Sequence, residues 1–253
     1  MRVAFALAGL GGFNAHGAGF LAAAKKWSVK PELVTATSGQ ILVLADWLSG
    51  KDLRESVITR ERESNPLAQL QTMLFGYPGV FRPAYPEALA RLASWPNAKE
   101  SLLKSIADRL LPAQEYVPAR PDSEFQAVAD ILNASSIGIL FNSYEPGTGT
   151  GFLYGNRAAR ELMPSEKAIP KQRPVQAGLK RDLRYVADVS AERAILPITA
   201  EAVKSALWLS LYGFHDMPGG RMDGAYHRSC ILSELHVFDR IFVARPLANG
   251  WYG

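Results

Sequence analysis

The stretch Val3-Ala4-Phe5-Ala6-Leu7-Ala8-Gly9-Leu10-Gly11-Gly12-Phe13-Asn14 decides the fold. Its uncharged apolar start reads as a short strand buried on both faces. The glycines that follow read as a turn whose backbone N–H groups are free. Ala15 to Trp27 then predicts a helix, Glu32 to Thr37 a second strand, and Ser38-Gly39-Gln40 the opening of a second helix. Strand, loop, helix, strand, helix in that order predicts an α/β fold around a parallel sheet. Gly17 and Gly19 each cost roughly 1 kcal/mol against alanine inside a helix. Close packing of the first helix on the sheet would explain them.

Further along, Ser136 to Ser143 and Gly151 to Tyr154 read as strands joined by the turn Pro146-Gly147-Thr148-Gly149. Asn156 stands where it can cap a helix over 157–163. Tyr185 to Val189 and Arg240 to Ala244 read as strands, and Ala200 to Tyr212 as a helix. Residues 164–182, rich in Lys, Arg and Pro, read as an exposed loop. Residues 51–134 differ in character. They carry helical patterns at 51–62, 66–74, 84–94, 98–111 and 123–133, broken by segments such as Phe75 to Pro83. We read them as a helical insertion or cap within a single domain spanning 1–253.

A chain of 253 residues can bury a sizeable single core. Hydrophobic residues at 48% and charged residues at 21% fit a soluble globular protein. The net charge of +4 comes from scattered basic residues. That argues against nucleic acid as a partner, while allowing contact with anionic surfaces. The lone Cys230 permits no internal disulfide and fits a reducing compartment. Arg2 and the apolar run after it mimic the start of a signal peptide, but the run breaks into glycines and continues as strand, loop and helix. No stretch approaches the roughly 18 apolar residues of a membrane span. The expected location is cytoplasmic, with at most peripheral membrane contact. No metal is expected, because four histidines and one cysteine show no ligand spacing. No cofactor is expected either. A dinucleotide fingerprint would need glycine at Asn14 and an acid ending the second strand, and a phosphate loop would need Gly-Lys-Ser or Gly-Lys-Thr.

The chemistry rests on three places. Ser38 presents a hydroxyl at a strand-to-helix junction, in the elbow Ala36-Thr37-Ser38-Gly39-Gln40. A helix cap is the structural alternative. The loop at Gly9–Gly12 offers backbone donors for a developing oxyanion. Asp223, late in the chain and followed by Gly224, offers a carboxylate that can take the proton of serine without a histidine. A simple turn is its structural alternative. Ser38 comes too early for a standard hydrolase with a histidine base, and nothing local marks His227 or His236 as one. His16 reads as structural, and adjacent His215 and Asp216 need not face each other. The helix at 98–111 reads as packed on the core rather than lying on a membrane.

Together these parts resemble the patatin-like phospholipases: a glycine-rich loop after the first strand, an early elbow serine, and a late Asp-Gly-Ala. The resemblance covers Val3 to Gly50 and about Ile137 to Pro246; residues 51–134 carry no matching motif. It implies a three-layer α/β/α fold with a mainly parallel sheet. It also implies hydrolysis of lipid or other acyl esters by a Ser–Asp dyad. Ser38 would be the nucleophile and Asp223 the base, with the oxyanion held by N–H groups of Gly9, Leu10, Gly11 and Gly12. The chain departs from the family pattern at Leu10, which interrupts the triple glycine. It departs again at Phe13 and Asn14, where the family has a basic residue and a glycine, and at Gln40, which replaces the second elbow glycine. Those departures define the alternative, a catalytically degenerate member that binds acyl ligands or a protein partner.

Overall fold

The computed structural model describes residues 1–9, 14–54, 81–83, 116–118, 120–163, 194–214 and 216–245. The N-terminal segment gives β1 (Val3–Leu7), α1 (Ala15–Lys26), β2 (Leu33–Ala36) and α2 (Gln40–Leu48). Two short strands follow, β3 (Phe81–Pro83) and β4 (Tyr116–Pro118), paired antiparallel as a small separate sheet. The C-terminal half adds α3 (Asp122–Ala134), β5 (Gly138–Glu145), β6 (Thr150–Gly155), α4 (Arg157–Leu162), β7 (Leu196–Pro197), α5 (Ala200–Ala206), β8 (Met222–Asp223) and β9 (Arg240–Ala244).

These strands, apart from β3 and β4, form one seven-stranded sheet in the order β7-β6-β5-β2-β1-β9, with β8 also paired to β5. Its centre is parallel: β9, β1, β2 and β5 all run one way. β6 and β8 are antiparallel to β5. Alternation along β1 divides the core. Val3, Phe5 and Leu7 face one side with the buried residues of α1, α2, α3 and α5. Ala4 and Ala6 face the other, with Ala159 of α4 and with Leu235 and Phe238. Helices therefore cover both faces of a mostly parallel sheet, as the sequence predicts for an α/β protein. Phe5 anchors the first face by edge-to-face contact with Phe20 at 4.9 Å between ring centroids.

Three readings change. The helix expected over 123–133 is present as α3, but it belongs to the main core rather than to a cap, because Phe125, Ala129 and Leu132 are buried against α2 and α5. The helix expected from Ala200 to Tyr212 ends at Ala206, and only a 3-10 turn remains at Ser210–Tyr212. The cause is tertiary: the carbonyl of Trp208 accepts the N–H of Asp223 at 2.9 Å, and the Trp208 indole N–H donates to Gly213 at 2.9 Å. Gly17 is packed against a side chain of α2 rather than on the sheet, and a methyl group at Gly19 would meet open space. The helices expected over 66–74, 84–94 and 98–111, the loop at 164–182 and the strand at 185–189 lie outside the described residues, as does most of the helix expected over 51–62.

Asn156 does more than cap α4. Its Oδ1 accepts from Ala159 at 2.9 Å and from Ile139 at 3.0 Å. Its Nδ2 donates to carbonyls of Leu132, Ser135 and Ile137 within 3.2 Å. One buried amide thus ties α3, the start of β5 and α4 together. Asn156→Ala is expected to cost roughly 2–4 kcal/mol by cap loss and unpaired buried groups, read as a lower urea midpoint.

Candidate active site

Ser38 stands two residues past the end of β2 and adopts φ +59°. Ser28, the other described non-glycine residue at positive φ, follows the C-terminus of α1, where left-handed residues commonly end helices. Ser38 instead precedes a helix, where no capping motif asks for that conformation. A residue held there costs about 1–3 kcal/mol, and such outliers gather at functional sites. Ser38 is 2% exposed, and its side chain lies close enough to the carboxylate of Asp223 to pull that carboxyl's pKa down against burial. The structure thus brings the two predicted residues into contact.

The sheet explains the meeting. β2 pairs with β5 up to Ala36 opposite Phe141. β8 then takes over the same flank of β5, with Asp223 opposite Ser143. Asp223 is 2% exposed and accepts the N–H of Ala225 at 2.8 Å. Burial pushes its carboxyl up to about 6, against the opposing pull of the Ser38 hydroxyl and the Ala225 N–H. Burial, and then the Asp223 charge, hold the Tyr212 phenol well above its ordinary range. Tyr212 is therefore a neutral neighbour of the carboxylate, not a second base.

A cleft opens over Ser38, lined by Gly39, Leu42, Phe125, Leu207, Leu209 and Tyr212, with Pro118 and Arg120 beside them. Its wall is mostly apolar, and none of these lining residues beyond the elbow is marked in the sequence by a motif. Leu42 and Phe125 carry a helical apolar pattern that a core position would carry equally. Arg120 donates to Glu124 at 2.6 Å.

The glycine loop takes a different part than expected at its first residue. The N–H of Gly9 donates to the carbonyl of Ser229 at 2.8 Å, so it is engaged and not free for an oxyanion. Gly9 is small for another reason: a methyl group there would lie 2.8 Å from Cβ of Ser38. Leu10, Gly11 and Gly12 lie outside the described residues. Gly39, which the sequence reading left out of the donor set, lines the cleft, and its N–H has no acceptor among the described residues. It stands at the start of α2, where the helix dipole favours negative charge.

Gln40, the departure from the elbow pattern, is fully buried. Its Nε2 lies 3.3 Å from Asn14 Oδ1 and from His16 Nε2, and His16 Nε2 lies 2.9 Å from the carbonyl oxygen of Ala8. His16 is structural, as its place in the sequence suggests. A methyl group on Gly17 would lie 1.7 Å from Gln40 Oε1. The room that a second elbow glycine would leave is supplied by Gly17 on the neighbouring helix. His227 stacks on Tyr144 at 5.3 Å, and His236 Nδ1 lies 2.8 Å from the carbonyl oxygen of Ser233. Comparison with protein-family models, with characterised proteins and with solved structures gives no match.

Two outcomes follow from this geometry. Gly17→Ala should cost roughly 1–3 kcal/mol through overpacking, and Gln40→Gly in the same chain should recover at least half of it, as a double-mutant cycle in urea would measure. Asp223 binds more protons in the folded chain between its ordinary value of 3.8 and about 6, so stability falls as pH rises through that window. Asp223→Asn should then raise unfolding free energy by roughly 1–3 kcal/mol at about pH 8, and the gain should vanish at about pH 3.5.

Proposed function

We propose that this protein is a serine acyl hydrolase of patatin-like type, acting on lipid or other carboxylic esters. The observation that carries the reading is Ser38 at positive φ on a strand-to-helix turn, beside a buried aspartate whose carboxyl its side chain perturbs. A serine that merely caps a helix needs neither feature. The apolar cleft above it supports an acyl substrate.

In the proposed reaction the acyl chain lies along Leu42, Phe125 and Leu207, with its carbonyl carbon at Ser38 Oγ. The carboxylate of Asp223 takes the hydroxyl proton as Oγ attacks the carbon. The oxyanion that forms is met by the N–H of Gly39, with the loop after Gly9 supplying further donors. Each such donor contributes about 2.7–4 kcal/mol to the transition state. The leaving alcohol takes the proton back from Asp223. Asp223 then deprotonates a water that attacks the acyl-enzyme, and it returns that proton to Ser38 Oγ as the carboxylic acid departs.

Gln40 favoured a degenerate protein while its side chain had no explanation. Its fit over Gly17 removes that weight and favours catalysis. No described helix is long and apolar enough to cross a membrane. We take the substrate to reach the cleft from solution or from a surface.

Wild-type protein is expected to label with a fluorophosphonate and to hydrolyse short acyl esters, and Ser38→Ala to do neither. The base must be ionised, so kcat/KM should rise with pH through a midpoint near 6 and level off above it. A profile flat across that midpoint, or labelling that persists in Ser38→Ala, would remove the dyad.

A further inference from the structure

Asn142 lies in β5, is 2% exposed, and belongs neither to the cleft nor to the Ser38–Asp223 pair. The strand registers place it at a junction. Phe141 is opposite Ala36 of β2, and Ser143 is opposite Asp223 of β8. Asn142 is the residue between, at the step where β5 exchanges one neighbour for the other. Continuing the β2 register by one position puts Thr37, the residue before the nucleophile, beside it.

Its side chain reaches the far side of the same junction. Nδ2 donates to the carbonyl of Gly224 at 3.2 Å and to that of Arg228 at 2.9 Å. Those two carbonyls span the turn that begins at Asp223. The fit is close: a methyl group on Gly224 would lie 2.3 Å from Asn142 Cγ. The turn therefore rests on the amide itself, which accounts for the glycine after the aspartate.

The amide also carries a cost. Asn142 Oδ1 is buried without a partner among the described residues, as is Thr37 Oγ1. An unpaired buried acceptor costs about 1–3 kcal/mol, more than an apolar side chain would at a position kept for packing alone. Native chains carry such costs at functional sites.

We propose that Asn142 is a positioning residue of the hydrolase: its amide sets the height of the turn after Asp223 and so keeps the carboxylate within reach of Ser38. This rests on the Ser–Asp reading above. Proton transfer needs heavy atoms about 2.6–3.2 Å apart. A misplacement near 1 Å costs on the order of 10²-fold in rate. Asn142 lines no part of the described cleft, so the loss falls on kcat and spares KM.

The test compares Asn142→Ala and Asn142→Asp with Asn156→Ala, a buried asparagine of similar bonding at the other end of β5. Asp keeps the shape of the side chain but sets acceptors against two carbonyls. On a soluble acyl ester, both Asn142 variants should lose on the order of 10²-fold in kcat with KM within about twofold, while Asn156→Ala loses thermal stability and keeps kcat. Asn142 variants that retain kcat within about twofold, or whose kcat and KM fail together as stability falls, overturn the proposal. A crystal structure of whichever Asn142 variant folds supplies a readout independent of turnover. The turn should lift from β5 and the Asp223 carboxylate should move away from Ser38; an unmoved turn overturns the positioning role. An inert wild type would sink the hydrolase reading alone, since the displacement of the turn would still be decided by that structure.

Discussion

Everything at the site depends on β5 holding two partners along one flank. β2 runs parallel to β5 and stops at Ala36; β8 runs antiparallel and arrives at Asp223. The two strands approach head to head in one slot, so the residues that follow or end them converge. Their last paired positions on β5 are two residues apart, about 6.6 Å at the usual rise of a strand. A hydroxyl just beyond one strand and a carboxylate ending the other then need only short side chains to meet. The carboxyl ends of the parallel strands point to this same place, as ligand sites in open α/β sheets do.

The junction concentrates costs that the rest of the core offsets. Ser38 sits at positive φ, Asp223 is a buried carboxylate, and Asn142 and Thr37 hold polar atoms without partners among the described residues. Each opposes folding, and all lie within a few residues of one another along three strands. Burial is what raises the Asp223 carboxyl. The same surroundings therefore make the carboxylate a better base and a less comfortable one. Two large faces of buried aliphatic and aromatic residues around β1 and β2 supply the offset.

The elements legible in the sequence were those whose reasons are local. β1, α1, β2 and α2 follow from apolar periodicity and from a glycine run that no helix would carry, and Asn156 announces a helix start. The elbow serine and the Asp-Gly pair were legible as candidates because each places a polar side chain at a turn, where a helix cap or a simple turn was the structural alternative. What stayed hidden depends on distant partners. The helix after Ala200 has the composition to continue to Tyr212, and stops because the backbone of Trp208 is needed by Asp223. The N–H of Gly9 looks free until Ser229 arrives from the other end of the chain. Gly39 has no side chain to signal its place in the cleft wall. Asn142 reads as one polar residue in an apolar strand, and only the register reveals the two turns it stands between.

Gln40 shows why motif departures need a spatial reading. The second glycine of an elbow gives room where the helix after the nucleophile passes a neighbouring element. That requirement belongs to a contact, and either side of the contact can meet it. Here the large residue is on α2 and the missing side chain is on α1, at Gly17. A position-by-position pattern scores the exchange as a loss, because it inspects only one of the two partners. The buried amide adds what a glycine cannot: it lies against Asn14 and His16, and His16 in turn holds the carbonyl of Ala8. Ala8 and Asn14 flank the glycine run on its two sides. The same substitution that breaks the sequence pattern therefore links the start of α2 to residues on both sides of the glycine run.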